Sequence, residues 1–309
     1  MLSFWEKKNF IHYDYIIVGA GITGLSLACT LKEKNPRASV LLLERGLLPN
    51  GSSTKNMGIA RMGSFSECLK ELEIFGEEKF IELIEDRIKG MAILRKRLGD
   101  DNIDYFKTGG FELVLNRKPV FIEKLEYLNS ILKKIFSENV FHSFPQLIDT
   151  FGFNKEMIDS VIINPLEGQI NTGKLIQSLW NYAGILQVKI MTGAEVSDIE
   201  ELADRVVVNV HSYPDEHIKF AAQKIALCTN AFTVKIYPQL HITPCRYQVL
   251  CTAPVDDLKF KGVFSFDEGN YYFRNLDTKI IISGGSHTDP ENETTMELSI
   301  NDEIQHQLE

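Results

Sequence analysis

The run YDYIIVGAGITGLSLACTLKEKNPRASVLLLERG, residues 13–46, constrains the fold of this chain more than any other. Tyr13 to Val18 are almost all apolar or aromatic, partly β-branched and bounded by Gly19, the composition of a buried parallel strand. Helical periodicity follows, with Ile22, Leu25, Ala28, Cys29 and Leu31 on one face, until KEKNPR ends it; ASVLLLE reads as a second buried strand. Together these pieces form a βαβ unit, whose right-handed crossover is nearly obligatory. Gly19, Gly21 and Gly24 stand in a G-x-G-x-x-G pattern between strand and helix, and Glu44 follows about 20 residues later at the end of the second strand. Glycines in this setting allow a tight turn, close approach of backbone to a pyrophosphate and helix-to-strand packing, while the helix N-terminus offers N–H groups to the phosphates. Glu44 is suited to accept hydrogen bonds from the adenosine ribose, and an acid there disfavours a ribose 2′-phosphate, so NADP is the least suited dinucleotide. Spacing alone leaves FAD and NAD open.

The rest of the composition narrows the class. A formal net charge of −9 argues against a phosphate-backbone binder, which needs basic patches, so no nucleic-acid partner is expected. No apolar run approaches the roughly 20 residues that cross a bilayer, and charges interrupt MLSFWEKKNFIHYDY where a signal peptide needs an apolar core, so the expectation is a cytoplasmic protein with no transmembrane segment. Cys29, Cys68, Cys228, Cys245 and Cys251 are odd in number and contain no C-x-x-C pair, which disfavours a disulfide framework and a structural metal site. Cys29 and Cys228 read as small core residues.

Further along, residues 66–98 carry helical periodicity, with Gly76 and Gly90 as candidate breaks. IDYFKTGGFELVLN reads as two strands joined at Gly-Gly, and PVFIEKLEYLNSILKKIF as an amphipathic helix. Residues 171–183 form another helix, LQVKIM and RVVVNV read as strands, and CRYQVLCTA, YYFRN and KIIISGG form a last strand group. Without a long linker or repeat, two lobes would be interwoven rather than strung in series.

After the second strand, ERGLLPNGSSTKNMGIAR alternates Ser52, Ser53, Thr54 and Asn56 with Gly51 and Gly58, which suits a backbone-rich wrap around a polyhydroxylated chain and equally a surface loop. Taken in order, DYIIVGAGITG with LLLERG, GSSTKNMG, LEGQINTGKLIQSLWNYA, IALCTNAF, PCRYQVL, YYFRN and IIISGGSH resemble the D-amino-acid oxidase family of FAD-dependent oxidoreductases, which includes glycine and sarcosine oxidases. The resemblance implies an α/β protein: a Rossmann-like FAD-binding domain, with an interleaved substrate domain on a mixed or antiparallel sheet over the flavin. The corresponding boundaries are 1–74 and 160–235 for the FAD domain, 75–159 and 236–298 for the substrate domain, and 299–309 for the start of a C-terminal helix. By position, Gly19, Gly21, Gly24, Glu44 and Arg45 would hold the ADP half, and Ser52, Ser53, Thr54, Asn56 and Gly58 would line the ribityl and ring side. Val196 would meet the adenine through its backbone, and Thr229 with Asn230 would lie near the pyrophosphate. Some relatives attach flavin through a histidine in this loop; no histidine occurs between His12 and His142, so FAD is expected to bind non-covalently.

In this family the flavin takes a hydride from a carbon bearing an amine, which implies a small amine or amino-acid substrate; relatives that oxidise a 2-hydroxy acid, and a binding module without activity, are the alternatives. In an alternating YYFRN strand, Tyr272 and Arg274 share a face and could bind a carboxylate; Arg246 and Gln248 show the same spacing, which is generic to strands. His287 reads as a solvated loop residue. Family members usually continue past the last substrate-domain strand into a segment that returns to the FAD domain, and the resemblance implies that the sequence ending in SINDEIQHQLE lacks it.

Overall fold

The computed structural model describes residues 2–115, 121–212 and 216–309. The chain divides into two units: Met1–Lys55, Thr172–Cys245 and Thr294–Met296 form the first, and Asn56–Asn171, Arg246–Glu293 and Glu297–Glu309 the second.

The first unit is built on a six-stranded sheet. Its central strand, His12–Val18, pairs in parallel with Val40–Leu43 on one side and Glu216–Leu227 on the other. Lys189–Met191 extends the parallel part beyond Val40–Leu43, while Val206–Ser212 and Glu195–Glu201 add an antiparallel edge. Strands buried on both faces need apolar residues at successive positions. Ile16, Val18, Leu41 and Leu43 join one cluster with Val208, Val210 and Phe220, and Ile17 and Leu42, of opposite parity, are equally buried. The helix Ile22–Lys34 ends as the sequence suggests, its Lys32 ammonium buried and donating to the carbonyls of Pro36 (2.6 Å) and Ala38 (3.0 Å).

The second unit carries a seven-stranded mixed sheet, in the order Gln248–Cys251, Lys279–Gly284, Tyr271–Leu276, Val263–Phe266, Gly110–Leu115, Ile158–Asn164 and His142–Ser143. Among the described residues only Val263–Phe266 and Gly110–Leu115 pair in parallel in this sheet. Register alternation divides the sheet into two unlike faces. On one, Phe111, Phe264 and Phe273 stack at 5.0 and 4.9 Å in an apolar cluster with Leu113 and Val161. On the other, Glu112, Ser265 and Tyr272 stand directly opposite one another on neighbouring strands. The helices Phe65–Phe75, Glu77–Leu98 and Phe121–Leu132 contribute to a second cluster with Phe141 and Ile162. A two-stranded ribbon, Ile59–Ala60 with Gly168–Gln169, completes the unit.

Several expectations need correction. IDYFKTGGFELVLN holds one strand, Gly110–Leu115: Asp101–Ile103 is a 3-10 turn and Phe106 makes only an isolated bridge to Gln169, so Gly109, at φ +79°, enters a strand rather than turning a hairpin. Gly76 does break the helical run, with φ +75° and the Leu72 carbonyl accepting its N–H, whereas Gly90 lies inside a continuous helix. Asn116, Pro119 and Val120, parts of an expected strand and helix, lie outside the described residues. The unit boundaries also differ from those expected. Residues 56–74 and 160–171 fall in the second unit, because Phe65, Cys68 and Leu72 pack in one cluster with Phe80 and Ile84, and because a cut at 160 would split the Ile158–Asn164 strand. Residues 236–245 fall in the first unit. The C-terminal helix spans Asp302–Leu308, capped by the Asn301 side chain, which accepts from the Glu303 and Ile304 N–H groups.

Candidate functional site

In the first unit the three glycines do different work. Gly19 has φ +102°, and a side chain there would meet the Cys228 carbonyl oxygen at 2.5 Å; one on Gly24 would overlap the Gly19 carbonyl. Both are therefore required by backbone packing of the strand, the turn and the helix. Gly21 is different, because a Cβ there would meet only the Ser53 side chain, its Oγ at 2.8 Å. It is also the N-cap of the Ile22–Lys34 helix, in extended conformation and with no side-chain cap of its own. The bare Gly21 thus leaves a helix N-terminus that a phosphate can approach.

Around this turn the chain gathers polar groups. Glu44, 7% exposed, accepts from the N–H of Ala20 (3.0 Å) and of Gly46 (2.9 Å), and each carboxylate oxygen keeps a further lone pair for a ribose hydroxyl. Gly193 and Ala194 donate to the carbonyls of Gly46 (3.0 Å) and Glu44 (2.9 Å), leading the chain toward Val196, which is buried in register with Val210. Arg45 stacks its guanidinium 3.9 Å from the Phe232 ring centre. Ser52–Lys55 is a short helix rather than a loop: Ser53 Oγ accepts from the Ile22 N–H (3.0 Å), Ser52 Oγ from the Asn230 amide (3.2 Å), and the Thr54 hydroxyl donates to Pro49 O (2.9 Å). The Thr229 and Thr233 hydroxyls bond to each other at 2.8 Å. Gly19, Gly21, Gly24, Glu44, Ser52, Ser53 and Asn230 are thus linked in one neighbourhood, and these donors, acceptors and the bare Gly21 fit the ADP half of FAD.

The remaining loop residues belong to the second unit. Asn56 Oδ1 accepts from the Gly58 N–H (2.8 Å), and Gly58, at φ +72°, lies so close to the Ile170 carbonyl that a side chain would overlap it. Gly58 is therefore required by the fold. Arg61, which the sequence reading passed over, stacks 4.7 Å from the Tyr272 ring centre, donates to its hydroxyl (2.8 Å) and pairs with Glu67. Burial pushes the Tyr272 phenol up, and Arg61 opposes that shift. Tyr272 and Arg274 do share a sheet face.

Arg274 is 5% exposed, donating to Gln169 Oε1 (3.1 Å) and Ile170 O (3.4 Å), while its Nε has no partner. Desolvation pushes its pKa down, and no carboxylate counters that effect. A buried, uncompensated guanidinium is costly unless an anion comes to it. Arg246 is placed otherwise: it pairs with the fully buried Glu293 (2.6 Å) and donates to Ser299 (2.5 Å), and Gln248 is held between Glu293 (3.4 Å) and Gln305 (3.1 Å). The structure thus joins Arg246 and Gln248 through Glu293. His287 stacks edge-on against Tyr271 and lies 3.6 Å from Asp267.

Gln169 and Glu167 also escaped the sequence reading; their only signal is the EGQ triplet ahead of a helix start. Among the described residues no cluster of three metal-ligating side chains occurs, and no helix is long and apolar enough to cross a membrane.

The sequence model of the FAD dependent oxidoreductase (DAO) family matches residues 14–309. A probable oxidoreductase, OrdL, of Haemophilus influenzae is 23% identical over 296 residues, covering 90% of this chain and 66% of its own length. Among solved structures, glycine oxidase from Geobacillus kaustophilus superposes with a TM-score of 0.68 at 17% identity, covering 96% of this chain and 76% of that one. L-proline dehydrogenase from P. horikoshii gives 0.74 at 15% identity, with 96% and 75% covered. The chain therefore spans just under two thirds of the curated relative and about three quarters of these solved chains, and the likeness in structure is one of fold.

Proposed function

The chain belongs to the family of FAD-dependent oxidoreductases, and on that premise we propose that it oxidises an amino acid, or another amine bearing a carboxylate, with non-covalently bound FAD as hydride acceptor. FAD supplies the two-electron chemistry when bound. The protein holds and orients. Gly21 and the N-terminus of Ile22–Lys34 take the pyrophosphate, Glu44 takes the adenosine ribose, and Arg45, Val196, Thr229 and Asn230 with Ser52 and Ser53 frame them. The absence of histidine from residues 13–141 supports non-covalent attachment.

Buried Arg274, with its partnerless Nε and no opposing carboxylate, is the observation that carries the substrate reading. It creates a positive potential on the face that also bears Tyr272 and Arg61, which a substrate carboxylate would neutralise. Arg61, its side chain 40% exposed and fixed by stacking on Tyr272, makes the direct contact, with the Tyr272 hydroxyl as a second donor. The substrate nitrogen then leaves as part of an imine, which water hydrolyses. An odd number of cysteines without a C-x-x-C pair fits a reducing compartment such as the cytoplasm.

Anaerobic mixing of the FAD-loaded protein with amino acids, with the same amines lacking the carboxylate, and with 2-hydroxy acids tests the reading. Bleaching by amino acids alone is expected. Equal bleaching by the decarboxylated amines would remove the carboxylate contact, and bleaching by hydroxy acids alone would reassign the substrate.

A further inference from the structure

The sheet face that carries Tyr272 also encloses two acids that the proposed reaction does not use. Glu112 stands opposite Ser265, and Ser265 opposite Tyr272. Glu167 reaches the same place from the segment before Gly168–Gln169, its carboxylate packed against Gly110. A cavity of about 10 Å³ lies among Ser64, Glu112, Asn164, Glu167, Ser265 and Tyr272. That is room for one water, which needs two to four polar partners and finds them in this lining. Glu112 is 6% exposed and Glu167 4%. Glu112 accepts from the Ser66 N–H (2.9 Å) and hydroxyl, and Glu167 from the Gly63 N–H (3.0 Å).

Most charges on the elements packed around the pair are already matched; Arg274, on the Tyr272 strand, has no counter-ion, and Arg61 acts on Glu167 as well as on its own partner. Arg61 pairs with Glu67, Arg87 makes a two-pronged pair with Glu71 (2.8 and 2.6 Å), and Lys70 lies 3.6 Å from Glu268. The Cys68 thiol and the Tyr272 phenol are both pushed up by burial and stay neutral at neutral pH. Two carboxylates at one buried place, where the Arg61 charge that favours ionisation of Glu167 is shared with Glu67, cannot both ionise cheaply.

We propose that Glu112 and Glu167 form a buried acid pair that shares one proton around a single internal water through neutral pH. The pair then carries one negative charge instead of two, which preserves the positive potential of Arg61 and Arg274 toward a carboxylate. That consequence rests on the reading under Proposed function, whereas the shared proton does not. Burial is the main cause raising both pKa values; hydrogen bonds from Ser66 oppose it at Glu112, and the Gly63 N–H and Arg61 oppose it at Glu167, where the Glu112 charge adds to the rise.

An acid whose folded pKa is raised loses stability as pH climbs from the ordinary glutamate range through the folded pKa. Thermal unfolding of the full chain against pH, for wild type, Glu112→Gln and Glu167→Gln, reads this directly. The wild-type Tm is expected to fall behind both variants by a few degrees between acid and neutral pH and to match them at the acid end. Infrared spectra of the wild type alone should show a protonated-carboxyl C=O stretch at neutral pH that disappears on alkalinisation. That measurement needs no variant to fold. Parallel Tm curves for the three proteins, or a neutral-pH spectrum without the band, would overturn the pair.

Acetate affinity of Arg61→Gln separates the two readings. Weakened acetate binding with no infrared band overturns the acid pair alone. Unchanged acetate binding with the band present upholds the pair and overturns the substrate reading.

Discussion

Gly21 and Gly24 sit three residues apart, yet they answer to different constraints. A methyl on Gly24 would collide with the Gly19 backbone, so Gly24→Ala should cost about 1–3 kcal/mol of stability by overpacking. A methyl on Gly21 meets only the Ser53 side chain, whose hydroxyl accepts from the Ile22 N–H, so Gly21→Ala should cost no more than about 1 kcal/mol of stability and weaken FAD by roughly tenfold or more, about 1.4 kcal/mol. Calorimetry and FAD titration of both variants check the contrast; a Gly21→Ala protein that binds FAD normally would remove the pyrophosphate from this turn. Arg274→Met should leave stability unchanged or improved, since it deletes a buried charge with no counter-ion, while raising KM for carboxylate substrates about tenfold. A lower Tm with unchanged KM would make Arg274 purely structural. At this scale the glycine turn and Glu44 were legible as candidates because they lie within one βαβ unit, residues 13–46. Arg61 was not, because its partner Tyr272 is 211 positions away.

At the scale of elements, the Arg246–Glu293 pair ties the approach to Gln248–Cys251 to the short helix Pro290–Glu293 and, through Asn301, to the cap of the final helix. Burial disfavours ionisation of Glu293, but hydrogen bonds from Arg246, Asn301 and Gln248 outweigh it and hold its pKa below the usual carboxylate range. A depressed folded pKa stabilises above the unfolded value, and that stability is lost as pH falls through the folded pKa. Glu293→Gln should therefore destabilise the protein by about 3 kcal/mol near neutral pH, at the lower end for a broken buried pair because Arg246 keeps Ser299. The difference from wild type should shrink in acid, below the ordinary glutamate range; urea unfolding at two pH values measures it, and an equal difference at both would contradict the linkage. The two-residue spacing of Arg246 and Gln248 signalled shared surroundings, but the acid they share was invisible from the strand alone. The hairpin that local composition suggests before Gly110 fails for a similar reason: Gly-Gly composition signals a turn, whereas Phe106 is committed to a bridge with Gln169.

For the whole molecule, the alternation of the chain between two units was legible in outline, from the early βαβ unit, the helical middle and the late aromatic strands. Its exact crossings were not. They fall at 55/56, 171/172, 245/246, 293/294 and 296/297, where no composition shift marks them, because strand pairing and shared core clusters decide which unit a segment joins. Since FAD binds the folded chain and not the unfolded one, FAD at a hundred times its Kd should add about 2.7 kcal/mol of stability, seen as a concentration-dependent rise in Tm. The most direct measurement is a visible absorption spectrum of the protein after incubation with FAD and gel filtration, taken before and after denaturation. Flavin bands at one FAD per chain are expected, with all of the flavin released on denaturation. A colourless protein that takes up no FAD, or flavin that stays with the precipitated chain, would contradict non-covalent FAD binding.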